Sequence, residues 1–107
     1  MMQMRSPTGP LTLSGKERLV LELLAAGRDP MYGLQLVEQS RGRLKRGTVY
    51  VTLGRMEKKG LVEADAEKLE DDSGLVPRRM YRPTAYGLRA LKVWTAAARA
   101  LAWQVSS

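Results

Sequence analysis

The sequence contains no cysteine and no histidine. Those absences remove a disulfide scaffold, a thiolate or imidazole metal site, and every nucleophile pair built on either side chain. No apolar run approaches the ~20 residues that a membrane-spanning helix needs. The opening segment "MMQMRSPTGP", residues 1–10, lacks the hydrophobic stretch of a signal peptide and reads as a flexible arm. Acidic charge is missing from one end: residues 78–107 carry six basic groups and no acidic one. A soluble, cytoplasmic protein is the expectation, with no cofactor and no metal.

What is present suits one small globular domain. The chain has 107 residues, 44% hydrophobic and 27% charged. That length supports a core, but a domain of this size buries proportionately little surface and gains stability by oligomerising. The net charge of +7 is unevenly spread. Residues 1–40 balance four basic against four acidic groups, whereas residues 41–60 carry seven basic and one acidic. Residues 61–77 reverse the sign, with six acidic and one basic. Basic charge gathered around one segment points to a polyanion partner, with a merely soluble basic surface as the alternative.

"SGKE" at Ser14–Glu17 has the form of a capping box, and Leu19, Val20, Leu23 and Leu24 follow at the spacing of a buried helical face. "RDPMYGLQLVEQS" predicts a second helix with Asp29 as N-cap and Pro30 in its first turn, Met31, Leu34 and Val37 sharing a face. "RGRLKRG", residues 41–47, breaks it with two glycines and four cations. In "TVYVTLGRMEKKG", Val49, Leu53 and Met56 make one helical face, and Thr48, Thr52, Arg55 and Lys59 make another beside it. Gly60 ends that helix. "LVEADAEKL" and "RRMYRP" read as two strands of a hairpin with the polar tip "EDDSG", and Thr84 caps a last helix running towards Val105.

The order helix, helix, helix, two-strand hairpin, helix is that of a winged helix-turn-helix. The expected fold is mainly α with a small β-hairpin. A DNA-binding domain over residues 11–84 is followed by a C-terminal dimerisation helix over 85–107. In that architecture the third helix enters the major groove while flanking cations meet phosphates. Thr48, Thr52 and Arg55 suit base contacts, because threonine offers a hydroxyl or a methyl and arginine can grip guanine bidentately. Arg43, Lys45, Arg46 and Lys59 suit the duplex flanks. Because the wing tip is acidic, the expected wing contacts shift to Arg78, Arg79 and Arg82. In the last helix Leu91, Trp94, Ala98, Leu101 and Val105 are spaced as a packing seam, the candidate homodimer interface. A two-fold dimer would read a palindromic double-stranded operator. Trp103 faces away from that seam, on a dimer flank or in solvent.

"MYGLQLVEQ", "GTVYVTLGRMEKKGLVE" and "RRMYRPTAYGLRAL" resemble the signature segments of PadR-type transcriptional regulators. The matching positions are Tyr32-Gly33, Gly47-Thr48 with Tyr50, Glu57 to Leu61, and Tyr81 with Thr84 and Gly87, within residues 30–92. The resemblance implies a homodimeric repressor, with Tyr32 and Tyr50 near the DNA backbone; a core or interhelix contact is the other reading for each. It also implies an aromatic ligand at the dimer interface, where Trp94 would either stack the ligand or simply pack. Two departures stand out: Val51 where proline is common, and Gly54 in mid-helix, which costs about 1 kcal/mol relative to alanine. Enzymatic chemistry finds no support, since Asp71 and Asp72 sit in a polar turn without a partner base or phosphate cradle. The rival reading is a winged-helix protein-interaction module, and measured affinity for duplex DNA separates the two.

Overall fold

A computed structural model describes residues 13–106, with side chains described as far as Trp103. The arm expected over residues 1–10 lies outside the described residues. Helix α1 spans Gly15–Ala26 and begins with the predicted box: the Glu17 amide donates to Ser14 Oγ at 3.1 Å, and the Ser14 amide donates to Glu17 Oε1 at 3.0 Å. Leu19, Val20, Leu21 and Leu24 bury its inner face.

The second helix starts later than expected. Met31–Tyr32 form a short strand, β1, and helix α2 covers only Gly33–Gln39. Asp29 and Pro30 have good helix-starting chemistry, but a tertiary pairing overrides it. Met31 and Tyr32 bond to the later strand β3, Arg79–Pro83, in the register Met31↔Tyr81 and Tyr32↔Met80. Met31 thereby enters the core, and the helix's buried anchor is Leu36 rather than Leu34 or Val37. The two-strand hairpin becomes a three-stranded antiparallel sheet of order β1-β3-β2, with β2 at Val62–Ala66.

The turn after α2 is more than a breaker. The Ser40 hydroxyl donates to the Val37 carbonyl at 2.7 Å and accepts from the Leu44 amide at 2.9 Å. Leu44 plugs into the core between exposed cations. Helix α3, Val49–Lys58, follows, and Gly60 at φ 77° lets the chain leave it for β2. Helix α4, Ala85–Ser106, begins as predicted at Thr84, whose Oγ1 accepts from the Gly87 amide at 2.9 Å and donates to the Gly60 carbonyl at 2.6 Å.

Among the described residues one charged side chain is buried. Glu17 is 1% exposed, and Lys59 Nζ, at the end of α3, donates to its two carboxylate oxygens at 2.8 and 3.0 Å. Burial pushes the Glu17 carboxyl up, but Lys59, the Ser14 amide and Arg55 outweigh it and hold it below its ordinary value of 4.5. A depressed folded-state pKa adds stability above the unfolded value, and that stability is lost as pH falls through the folded value. Lys59→Met keeps the aliphatic stem and removes the partner charge, so it should cost about 2–3 kcal/mol near neutral pH. The deficit should shrink as pH falls from neutral into the acidic range, where the stranded carboxyl takes up a proton. Calorimetric melts across that range test it, and a deficit independent of pH would remove Glu17 as its cause.

Candidate nucleic-acid interface

Helix α3 is fastened by Val49, Thr52, Leu53 and Met56, all buried. Thr52 is only 9% exposed, so it belongs to the core side and not to an outward stripe. Lys59 is likewise committed to Glu17. The outward residues are Thr48, Val51, Arg55 and Lys58, with Val51 61% exposed. The expected stripe of Thr48, Thr52, Arg55 and Lys59 is therefore rotated by one position in its second and fourth members. At 100° per residue Val51 lies about 200° from Val49, pointing directly away from the core. That signal was available in the sequence, but an apolar side chain hid it.

The turn feeding α3 carries its cations free of acids. Arg43, Lys45 and Arg46 are exposed and, among the described residues, form no ion pair; the same holds for Arg55 and Lys58. Lys16 of α1 donates to the Arg43 carbonyl, which braces the turn against the first helix.

The wing is arranged differently. Arg78 makes a two-bond pair with Glu67, at 3.0 and 2.7 Å. Arg79 reaches Glu57 on α3 at 2.6 Å, and Arg82 bonds Asp65 and lies 3.5 Å from Glu63. The hydrogen bonds from Arg78 and Arg82 hold the Glu67 and Asp65 carboxyls below their ordinary range. All three wing arginines named from the sequence are thus self-neutralised, by acids 11 to 22 residues away in the chain.

Tyr32 and Tyr50 meet between these two regions. The Arg78 guanidinium lies 3.9 Å from the Tyr32 ring centroid, and the Tyr50 ring sits so close to Gly33 that a Cβ there would fall 2.5 Å from it. With Leu34, Arg46 and Arg79 the two tyrosines line an open cleft of about 470 Å³. Val37, Glu38 and Arg78 complete its lining.

The last helix packs on α1 and β3 through its first half. Leu91 joins the core, and Trp94 is half-buried with the Arg18 guanidinium 4.6 Å from its ring centroid. Ala98 is half-buried, whereas Leu101 is 65% and Trp103 72% exposed. Val105 lies outside the described side chains. No described helix is long and apolar enough to cross a membrane.

A family model for PadR-like transcriptional regulators matches residues 20–93, from mid-α1 through the three-stranded sheet into α4. The chain belongs to the PadR-like family of transcriptional regulators. The PadR-like fold recurs in solved relatives. A PadR family regulator from Clostridium difficile R20291 is 28% identical, with a TM-score of 0.72 over 87% of this chain and 96% of its own. A PadR family regulator from Eggerthella lenta DSM 2243 is 33% identical, with a TM-score of 0.67 over 84% of this chain and 77% of its own. The PcaV regulator of Streptomyces coelicolor, solved with its natural ligand, shares the fold at 23% identity and a TM-score of 0.64, over 80% of this chain and 56% of its own. No curated protein sequence matches the chain. This PadR-like chain is therefore a winged-helix protein of a DNA-binding regulator family.

Proposed function

We propose that the protein is a cytoplasmic, homodimeric repressor that reads a palindromic duplex operator and has no enzymatic activity. The observation that carries this reading is the junction of the acid-free cations of the α2–α3 turn with the outward residues of α3. Thr48 and Arg55 contact bases there, while Arg43, Lys45 and Arg46 sit on phosphates. Tyr32 and Tyr50 border the same face, and the wing arginines Arg78, Arg79 and Arg82 join it once they leave their acids. The seam of Leu91, Trp94, Ala98, Leu101 and Val105 holds the mate, because the exposed Leu101 continues an apolar stripe beyond the cover that α1 provides. A small aromatic ligand at that seam would release the operator, stacked on the Trp94 face that Arg18 does not occupy. PcaV, which has the same fold, was solved with a ligand bound. Domain limits of 11–84 for DNA binding and 85–107 for dimerisation follow from this division.

The test is footprinting on DNA upstream of the protein's own gene, followed by Arg55→Ala. Loss of a bidentate guanine contact should weaken operator binding by about 1–3 kcal/mol while binding to unrelated duplex changes little. If no duplex is bound at all, the protein-interaction module is the better description.

A further inference from the structure

Two residues on the outward face of α3 are locally unfavourable for a helix that ends in water. Val51 is a β-branched apolar side chain, 61% exposed in mid-helix, where it adds no core burial and lowers helix propensity. Gly54, one turn further on the same face, costs about 1 kcal/mol relative to alanine. Nothing in the fold calls for that glycine. Its φ is not positive, and a Cβ built on it meets no atom within 4 Å. Gly87, in contrast, is forced by a neighbouring backbone. A glycine that its own protein would accept as alanine is explained by something outside the chain that approaches the helix backbone closely. Local rules broken together on one patch mark a functional site more often than a defect.

The polar neighbours identify the visitor. Thr48 lies one turn before Val51, and Arg55 lies one turn after it, both outward. Resting on the DNA-binding reading above, we infer that Val51 and Gly54 form a shallow apolar notch that receives the C5-methyl group of a thymine in the major groove. The thymine methyl is the one apolar group presented on a major-groove base edge, so it is the matching occupant for an exposed valine set between hydrogen-bonding side chains. The missing Cβ at Gly54 lets the helix axis settle deeper, and the two valine methyls close on the thymine. Four residues of helix rise about 6 Å, so this thymine falls within about two base pairs of the guanine gripped by Arg55.

The experiment uses the full chain and its footprinted operator. Each operator thymine is replaced singly by deoxyuridine, which removes the methyl group and nothing else. Wild-type affinity should drop about fourfold at one symmetry-related pair of thymines and hold elsewhere. Val51→Ala should bind the unmodified operator correspondingly more weakly and be indifferent to uracil at that pair. Gly54→Ala should raise the melting temperature by about 4–8 °C yet lower operator affinity at least tenfold, a combination that a structural role alone does not produce. Operator binding by Gly54→Ala at wild-type strength, or the same uracil profile for wild type and Val51→Ala, overturns the notch while leaving DNA recognition in place. Failure of the wild type to bind any duplex overturns the DNA reading and the notch with it.

Discussion

Gly87→Ala should lower stability by about 3 kcal/mol or more, at the upper end of what overpacking costs. In a melt that is a fall of at least about 12 °C. The contact behind it is backbone on backbone. A Cβ on Gly87 would lie 2.1 Å from the Leu61 carbonyl oxygen, 3.0 Å from its carbon and 3.2 Å from Leu21 Cδ2. The clash cannot be relieved by a rotamer change, because that carbonyl already accepts the Thr84 amide at 3.1 Å. Thr84 Oγ1 also clamps the neighbouring Gly60 carbonyl. Helix α4 would have to lift from the Leu61 carbonyl at the α3–β2 junction, loosening its seat on the winged-helix body. A melting temperature within a few degrees of wild type would show that the junction is looser than this geometry.

Trp94→Ala should convert the protein from dimer to monomer at micromolar concentration, as read by sedimentation. Truncating a large aromatic that becomes fully buried costs about 3–5 kcal/mol, equivalent to at least a hundredfold in a dissociation constant. In the single chain Trp94 is only half-covered, with Arg18 across one side and the exposed Leu101 two turns along. In the proposed dimer a second α4 would cover the remaining face. A wild-type protein that sediments as a monomer would end the dimer proposal and with it the geometric basis for a palindromic operator.

The elements legible in the sequence were those fixed by neighbours close in the chain. Ser14 with Glu17, Thr84 with Gly87, and Gly60 each close a local hydrogen-bond or dihedral requirement within a few residues, and each stands where the sequence put it. Strand β1 was not legible because two residues carry no periodicity. The Asp29-Pro30 start signal is real chemistry, defeated by pairing with a strand some 50 residues on. On α3 the helical wheel locates the buried face but not its width, so the sequence pattern places Thr52 outward where the structure exposes Val51. The candidate wing contacts failed to declare their state for the same reason as β1. Glu67 and Arg78 are 11 positions apart, and Glu57 and Arg79 are 22 apart, beyond any local pattern.

In the proposed DNA complex those wing pairs would change the ion-exchange stoichiometry of binding. An unpaired cation such as Lys45 that settles on a phosphate liberates a condensed counterion, contributing about 0.9 to the logarithmic dependence of affinity on salt. An arginine that deserts Glu67 or Asp65 for a phosphate liberates the same counterion but leaves behind a bare carboxylate, which recruits a cation from solution. The two transfers nearly cancel. The wing can thus hold the duplex without making the complex more sensitive to ionic strength, and the measured exponent should count the cations of the turn and of α3 alone.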